Sequence, residues 1–277
     1  MELAAKNELK KIAGLVRIGI IEGVHSAKAG HPGGSLSCTD ILTFLYFSKM
    51  NIDPKNPKME SRDRLVLSKG HAAPALYSVL ARRGFFDVSL LNTLRKPGSI
   101  LQGHPDMKYI PGVDMSTGSL GQGVSAAVGM TLSAKHFGMG FKTYCILGDG
   151  ELEEGQVWEA AMFAANKGLS DLTVFVDNNN LQIDGTIEEV NSANPIDKKF
   201  EAFNWHTITI DGHDFDAIEA ALNEAETVDK PVAIIAKTTK GKGVSYMENS
   251  VNWHGAAPND ELYEQAIKEL NAALEVL

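Results

Sequence analysis

The sequence predicts an α/β protein with a doubly wound, mostly parallel sheet and helices on both faces. Apolar runs of strand length alternate along the chain with segments of helical periodicity, which is typical of parallel sheets covered by crossover helices. The strand-like runs are RLVLS, TYCILG, LTVFVD, HTITID and VAIIAKT. No internal repeat, low-complexity tract or convincing linker interrupts the 277 residues. We therefore expect one domain that spans residues 1–277.

The first half of the chain contains three predicted helices around the first strand. Apolar residues at helical spacing predict a helix over residues 2–29, ending before Gly30. GHPGGSLS is then interpreted as a loop, with Ser37 or Thr39 capping a second helix, DILTFLYFSKM. RLVLS follows as a buried strand, and APALYSVLARRG as a helix that ends at glycine.

In the second half of the chain, predicted helices and strand-like runs alternate more regularly. Residues 85–114 are rich in Gly and Pro and predict irregular structure. SLGQGVSAAVGMTLSAKHFG, residues 119–138, predicts a helix whose small residues allow close packing. Further helices are predicted over residues 153–167, 198–203 and 215–226, each between two of the strand-like runs.

Composition narrows the classes of function and location. The formal net charge of −9 argues against a nucleic-acid partner, because phosphate backbones need a basic face. The apolar runs are too short for a bilayer span, and the N-terminus does not resemble a signal peptide. Cys38 and Cys145 lie far apart in apolar surroundings. We interpret them as reduced core thiols of a cytoplasmic protein that binds neither membranes nor nucleic acid.

Polar residues follow two of the strand-like runs. Asp149 follows TYCILG, and DNNN, residues 177–180, follows LTVFV. Ligands of open parallel sheets bind beyond the carboxyl ends of the strands, so neighbouring strands would bring Asp149 close to one of the asparagines. Carboxylate, amide and carbonyl oxygens suit Mg²⁺ or Ca²⁺, and Mg²⁺ often completes its shell with phosphate. A solvated turn explains either cluster alone equally well, but the pair favours a metal site.

Two glycine-rich segments are candidate phosphate-binding loops. STGSLGQG, residues 116–123, precedes a predicted helix, where free N–H groups and the helix dipole attract anions. KTTKGKG, residues 237–243, follows the last strand and offers Lys240 and Lys242. Close packing through glycine explains the first segment equally well, and a solvated surface loop explains the second.

Four of the eight histidines lie in predicted loops next to glycine. They are His31, His71, His104 and His254. One such histidine is more often a turn residue than a catalyst, but four predict a pocket lined with groups that move protons near neutral pH. Their spacing does not suit zinc. The remaining histidines are given no role, and His213 is interpreted as part of a helix-entry turn.

Several motifs taken together resemble the transketolase family. GDGELEEG followed by DNNN, with Asp149 and Asn179 30 positions apart, resembles the thiamine diphosphate signature, which several types of enzyme share. More specific are AGHPGGSLS, SKGHAAPALYS, GHPD, STGSLGQG and WHGAAP, in the order found in transketolases. The resemblance covers nearly the whole chain but only the amino-terminal, diphosphate-binding domain of a full transketolase. It implies the thiamine diphosphate-binding fold and the N-terminal subunit of a split transketolase.

The resemblance also implies a role for individual residues. Mg²⁺ or Ca²⁺ would be bound by Asp149, the side chain of Asn179 and the carbonyl of Leu181, with Asn178 as the alternative amide. The cofactor-binding set would be His71, Gly118, Leu120, Gly150, Glu154, Asp177 and Lys240. In that set His71, Gly118, Gly150 and Lys240 would contact the diphosphate, Leu120 would lie near the aminopyrimidine and Asp177 near the thiazolium.

The catalytic set implied by the resemblance is His31, His71, His104 and His254, which would face the substrate and assist proton transfer. Glu154 and Glu159 would also lie at a subunit contact, where glutamates of this family connect paired active sites. Glu151 and Glu153 are interpreted as a solvated helix start.

The implied activity is transfer of a two-carbon ketol unit from a ketose phosphate to an aldose phosphate, as in the pentose phosphate pathway. The resemblance implies a heterotetramer with a transketolase C-terminal subunit that carries the pyrimidine-binding and C-terminal domains. Alternatives within the family are a different sugar phosphate, a 1-deoxyxylulose-5-phosphate synthase or a dehydrogenase E1 component. Outside it, the alternatives are a Mg²⁺-dependent phosphate hydrolase and a regulatory subunit without activity.

Overall fold

In the computed structural model, which describes residues 1–277, five parallel strands form a single sheet. They are β1 (Arg64–Leu67), β2 (Thr143–Gly148), β3 (Leu172–Asn178), β4 (His206–Asp211) and β5 (Val232–Lys237). The order across the sheet is β1-β2-β3-β5-β4. Gly148 at the end of β2 lies opposite Asp177 of β3, which lies opposite Ala236 of β5. The carboxyl ends of these three central strands are therefore level, as the metal-site prediction requires.

Ten α-helices surround the sheet. They are α1 (Leu3–Ala27), α2 (Pro32–Ser37), α3 (Thr39–Phe44), α4 (Ala73–Arg83), α5 (Gln122–Phe137), α6 (Gly155–Asn166), α7 (Ile187–Val190), α8 (Ile196–Ala202), α9 (Phe215–Ala225) and α10 (Asp260–Glu275). Side chains alternate along each strand, so Ile146 of β2 joins a core shared with α1, α4 and α9, whereas its neighbour Leu147 joins a second core shared with α5, α6 and α8. The predicted doubly wound α/β class is confirmed.

The prediction of a loop over GHPGGSLS is wrong. Most of this segment forms α2, because Pro32 occupies the first helical position, where its fixed φ is already helical and its missing N–H is not needed. The hydroxyls of Ser35 and Thr39 donate to carbonyls four residues back, which holds the glycine-rich turn in helical form. Neither Ser37 nor Thr39 caps α3, whose N-cap is Cys38 without a side-chain bond.

Three further features differ from the predicted pattern. α3 continues as a π-helical turn, Leu45–Lys49, and residues 85–114 contain a short 3₁₀ segment, Val88–Thr93. α10 was not predicted, although Asn259 caps it through a bond from Leu262 N and its apolar residues recur every four positions. Its buried residues, Ala266 and Leu270, pack against the larger core.

Cys38 and Cys145 are buried and form no disulfide, which agrees with their interpretation as free core thiols. No helix of the structure combines the length and the apolar character that a membrane crossing requires.

Candidate active site

A cavity of about 260 Å³ opens at the carboxyl end of the sheet. Ten of the residues singled out from the sequence line it: His31, His71, Gly118, Leu120, Asp149, Gly150, Asn179, Leu181, Lys240 and His254. They come from seven separate stretches of the chain, and the level strand ends bring them together. The other residues of its wall are Gly34, Lys69, Gly148, Glu151, Gln182 and Ile183.

Asp149 lies just beyond β2 and is almost completely buried. Its Oδ1 accepts a hydrogen bond from Gly150 N at 2.9 Å, and its Oδ2 accepts from Asn180 N at 2.5 Å and Asn178 Nδ2 at 3.1 Å. Burial, and after it the negative charge of Asp177, raises the pKa of this carboxyl to about 6. A bound divalent ion would supply the missing charge.

The side-chain amides of Asn178 and Asn179 differ in how far their oxygen atoms are already occupied by hydrogen bonds. Asn178 Nδ2 donates to Asp149, and its Oδ1 accepts from Lys237 Nζ. Asn179 Nδ2 donates to Asp177 at 3.3 Å, while its Oδ1 accepts only a 3.2 Å bond from Leu181 N and lies in the cavity wall. The geometry thus favours Asn179 as the amide that reaches a cation.

The donors available for a cation are all hard oxygens. No group of three or more His, Cys, Asp or Glu side chains is placed to hold a metal in the structure. Asp149, Asn179 and the carbonyl of Leu181 would thus form only part of a coordination shell. Mg²⁺ commonly completes such a shell with water and phosphate oxygens.

Lys240 is the second charged group of the cavity and is only 2 % exposed. Its Nζ donates to Leu181 O at 3.2 Å and contacts His254 Nδ1 at 2.9 Å, but it has no carboxylate partner. Burial lowers the pKa of this amine to about 8. A buried ammonium without an anion fits the diphosphate of the expected cofactor, so the residues present are compatible with both cation and cofactor.

A buried network that was not predicted positions the loop of Lys240. Arg17 forms an ion pair with Asp40 at 2.5 Å, and His213 Nδ1 lies 2.7 Å from the same carboxylate. His213 Nε2 then accepts from Thr239 N at 2.9 Å, and Arg17 Nε donates to Lys242 O at 3.1 Å. His213 is therefore more than a helix-entry turn residue. Its partners lie far away in the sequence, so no local signal pointed to them.

Lys69 is the largest omission among the predicted site residues. It lies 1 % exposed between β1 and α4, forms an ion pair with Asp177 and donates to Gly34 O at 2.7 Å. Ser37 and Thr238 hydroxyls donate to the same carboxylate, both at 2.5 Å. Burial opposes ionisation of Asp177, but Lys69 and these bonds hold its pKa below the ordinary value. The sequence signal that could have indicated this role is a charged lysine between the buried strand RLVLS and the helix APALYSVLARRG.

Three histidines form a compact cluster in another part of the cavity wall. The ring centres of His31 lie 5.3 Å from His71 and 5.5 Å from His254, and those of His71 and His254 are 5.3 Å apart. Burial, together with nearby charges, lowers the pKa of His31 to about 4 and of His254 to about 3, and lowers that of His71 as well. All three are neutral at pH 7. Nδ1 of His31 is buried without a partner.

Four of the singled-out residues do not line the cavity. His104 is exposed at its edge, with its ring against Gly118. Asp177 lies behind the wall and is occupied by Lys69, so a direct contact with a cofactor does not follow from this geometry. Glu154 is exposed at the start of α6, where it packs against Gly121 next to Leu120, and Lys242 pairs with Glu248 at 3.6 Å. The assignment of Glu154 and Asp177 to the cofactor-binding set stays a prediction.

The interpretation of Glu151 as part of a solvated helix start is wrong. This side chain is 2 % exposed. Its Oε1 accepts from Ser68 Oγ at 2.6 Å and Gly121 N at 2.9 Å, and its Oε2 accepts from Gly148 N at 3.0 Å. Glu151 thereby joins the end of β2 to the start of α5, where Gly123 packs too closely on Ser68 for any side chain. Glu153 is half-buried and bonded to Gln182.

Comparison with known proteins places the chain in a family. The family described as "Transketolase, thiamine diphosphate binding domain" matches residues 9–274. A 6-deoxy-6-sulfo-D-fructose transketolase subunit of Clostridium sp. (strain MSTE9) is 46% identical over 264 residues, which cover 95% of this chain and 96% of that protein. An apulose-4-phosphate transketolase subunit of Phocaeicola vulgatus is 44% identical, over 93% of this chain and 92% of that protein.

Complete transketolases match over part of their length. The human enzyme is 40% identical over 96% of this chain and 42% of its own. The crystal structure of transketolase from Campylobacter jejuni superposes with a TM-score of 0.90 at 37% identity, over 98% of this chain and 43% of that one. The chain thus spans about two fifths of these enzymes. It belongs to the transketolase family, in which it corresponds to the N-terminal, thiamine diphosphate-binding subunit of a split transketolase.

Proposed function

We propose that this chain, together with a transketolase C-terminal subunit, transfers a two-carbon ketol unit from a ketose phosphate to an aldose phosphate. The observation that carries the proposal is one cavity that joins the oxygen donors around Asp149, the buried ammonium of Lys240 and three neutral histidines. The reaction of the pentose phosphate pathway is one form of this activity. Relatives named for sulfofructose and apulose phosphate support a different sugar as the alternative.

The oxygens of Asp149, Asn179 and Leu181 would hold the Mg²⁺ or Ca²⁺ ion. Lys240, His71 and the backbone of Gly118 and Gly150 would hold the diphosphate, with Leu120 against the aminopyrimidine. Bound thiamine diphosphate supplies the carbon centre that accepts the ketol unit and stabilises its negative charge. These residues would hold the cofactor in a fixed position in the cavity that the histidine cluster also lines.

The histidines provide proton donors and acceptors at defined atoms. Lys240 Nζ donates to His254 Nδ1, so the proton of neutral His254 resides on Nε2, which can donate to a substrate oxygen. Nδ1 of His31 has no protein partner, but it is buried, so only another edge of this ring can face a substrate. His104 lies at the cavity edge, where it can contact a hydroxyl farther along the sugar. Low pKa values keep these rings neutral at pH 7, so they would meet the substrate as hydrogen-bond donors and acceptors.

A second chain would complete the site. In this family the aminopyrimidine is protonated through a glutamate of the pyrimidine-binding domain, and no residue of this chain is assigned that task. The surface of α6 favours a subunit contact, since Glu154 and Glu159 are exposed there beside Met162 and Phe163, which are 56% and 43% exposed. We place the pyrimidine-binding and C-terminal domains on the partner, in a heterotetramer of two such pairs.

The direct test compares the purified chain, the partner and their complex, each with thiamine diphosphate and Mg²⁺. Ketol transfer is expected only in the complex. In that complex Asp149→Ala should weaken cofactor binding by at least about 100-fold, measured by calorimetry, because it removes a metal ligand. Turnover by the single chain, or unchanged cofactor affinity in Asp149→Ala, would contradict the proposal.

The same preparations separate the alternatives. Phosphate release without thiamine diphosphate would identify a Mg²⁺-dependent hydrolase, and cofactor binding without turnover on any sugar would identify a regulatory subunit. A panel of phosphorylated and sulfonated ketoses would decide between the pentose phosphate reaction and a different sugar.

A further inference from the structure

His213 lies two positions beyond the end of β4, and Thr239 lies two positions beyond the end of β5. The two strands are parallel, and their register pairs the last residue of one with the last residue of the other. His213 and Thr239 are therefore level at the carboxyl edge of the sheet. The close approach of the two segments needs Gly212, because a Cβ there would come within 2.6 Å of the Thr238 side chain.

Both ring nitrogens of His213 are engaged. Nδ1 lies 2.7 Å from Oδ2 of Asp40, and Nε2 lies 2.9 Å from the backbone N of Thr239. An ionised carboxylate only accepts hydrogen bonds and a backbone N–H only donates them, so Nδ1 carries the proton and Nε2 accepts. The contact with Thr239 thus requires one neutral tautomer of the ring, since a proton on Nε2 would face the N–H of Thr239.

Asp40 fixes that tautomer. It is 5 % exposed and accepts two hydrogen bonds from Arg17, from Nη1 at 3.0 Å and from Nη2 at 2.5 Å. Burial opposes ionisation of Asp40, but the charge of Arg17 and the bond from His213 hold its pKa below the ordinary value. The carboxylate therefore stays charged and keeps the proton of His213 on Nδ1.

The same carboxylate is connected to the backbone on both sides of Lys240. On one side, His213 accepts from Thr239 N. On the other side, Arg17 Nε donates to Lys242 O at 3.1 Å. Both ends of the short segment that contains Lys240 are therefore held by groups that meet at one buried carboxylate.

The position of the Lys240 ammonium depends on that segment. Its Nζ contacts Leu181 O at 3.2 Å and His254 Nδ1 at 2.9 Å, and no carboxylate lies within ion-pair distance. Two neutral contacts hold the ammonium weakly, so its location follows from where the backbone is fixed. His213 does not line the cavity. Any effect of His213 on a molecule in the cavity is therefore transmitted by Lys240.

We propose that His213 is a positioning residue of the cofactor site, which places the Lys240 ammonium where it meets the diphosphate of thiamine diphosphate. The inference rests on the proposed function, in which Lys240 is a diphosphate ligand. The strength of a charged hydrogen bond depends on the distance and angle between its partners. Release of Thr239 from Nε2 weakens the contact without removing any group that touches the cofactor.

Two substitutions separate the bonds of the ring. His213→Gln places an amide oxygen near the position of Nε2, where it can accept from Thr239 N, and gives up the bond to Asp40. His213→Asn places an amide N–H near the position of Nδ1, where it can donate to Asp40, and leaves Thr239 N without an acceptor. His206→Asn is the matched control, because His206 begins β4 and its side chain pairs with exposed Glu224. Urea unfolding verifies that each variant is folded.

The first measurement is calorimetric titration of the complex with thiamine diphosphate in the presence of Mg²⁺. His213→Asn should weaken cofactor binding about tenfold, the effect of one lost hydrogen bond to a buried group. His213→Gln should remain within about threefold of the wild type, and His206→Asn should not differ from it. Unchanged affinity in His213→Asn, or equal losses in His213→Asn and His213→Gln, would overturn the inference.

A double variant tests whether the effect is transmitted by Lys240. Lys240→Met removes the ammonium and should itself weaken cofactor binding. In that background His213→Asn should cause almost no further loss, because the group that it positions is absent. A further tenfold loss in the double variant would show that His213 stabilises the site in general, and the positioning role would be refuted.

Hydrogen exchange keeps this result separate from the proposed function, since it needs neither cofactor nor turnover. In the cofactor-free complex, the amide of Thr239 should exchange about tenfold faster in His213→Asn than in the wild type or in His213→Gln. Equal exchange in the three proteins would refute the role of His213 alone. Absence of ketol transfer with any sugar, in a complex that binds thiamine diphosphate, would refute the proposed function alone.

Discussion

Two parts of the cavity wall differ in how far their polar atoms are paired with other protein groups. The strand-end wall, formed around Asp149, Asp177, Asn178 and Lys69, is a network in which nearly every polar atom already has a protein partner. The histidine wall, formed by His31, His71 and His254, keeps its rings 5.3–5.5 Å apart with few hydrogen bonds among them. One wall is held by its own contacts, and the other leaves polar atoms free.

This difference assigns the walls different tasks. A satisfied network of buried charges is rigid, and it can hold a cation and a diphosphate in fixed positions. Neutral imidazoles with free nitrogens can instead exchange protons with a molecule that enters the cavity. Mutations in the strand-end wall should therefore affect stability and cofactor binding, whereas mutations in the histidine wall should affect turnover.

The largest expected effect comes from the strand-end wall. Lys69→Met keeps an unbranched side chain but leaves the buried carboxylate of Asp177 without its cation. Breaking a buried ion pair by removing one partner costs about 3–5 kcal/mol, since the remaining charge is uncompensated. The free energy of unfolding of the purified chain, measured with urea, should fall by that amount.

Lys142→Met is the control for Lys69→Met. Lys142 pairs with Asp171 at 2.5 Å, but both side chains are about two fifths exposed. Exposed pairs contribute about 1 kcal/mol or less, so this variant should be nearly as stable as the wild type. Equal losses in the two variants would show that the strand-end wall is not held by its buried charges.

The second prediction concerns the histidine wall. His254→Ala in the complex should lower kcat by about 100-fold, the lower end for loss of a general acid or base. Cofactor affinity should change far less, because Lys240 and the oxygens around Asp149 remain in place. Steady-state kinetics and calorimetry of the cofactor give both values. A larger loss of cofactor affinity than of kcat would instead place His254 among the diphosphate ligands.

Sequence patterns predicted the elements whose cause is local. All five strands and most helices follow from apolar periodicity, and the meeting of Asp149 with the DNNN segment follows from parallel strands having carboxyl ends at one edge. α2 was missed because glycine and proline usually mark loops, whereas here Pro32 begins a helix. The same glycine and proline pattern is compatible with a loop or a helix start, and the surrounding tertiary structure determines which one forms.

The partners of the buried charged and polar side chains could not be predicted from local sequence patterns. Lys69, Glu151 and His213 each find partners 26 or more positions away, apart from the bond of Glu151 to Gly148. In the sequence they are ordinary polar residues next to glycine, which usually lie in solvated turns.

The smallest expected effect is a pH dependence that belongs to the histidine wall. His31 and His254 have folded pKa values of about 4 and about 3, below the ordinary value of 6.5. As pH falls below 6.5, the unfolded chain binds protons that the folded chain does not, so folding stability decreases down to the folded pKa. Asp149, whose folded pKa of about 6 is raised, acts in the opposite direction over part of this range.

The contribution of the histidines is therefore measured as a difference. Urea unfolding of the cofactor-free chain at pH 7 and pH 5 should show a smaller loss of stability in His31→Gln/His254→Gln than in the wild type. Because both rings are partly exposed, solvent screening limits the difference to about 1 kcal/mol. Parallel profiles for the wild type and the double variant would mean that the histidine wall accepts protons in the folded chain as readily as in the unfolded one. Its rings would then be too well solvated to remain neutral below pH 6.5, and the contrast between the two walls would be lost.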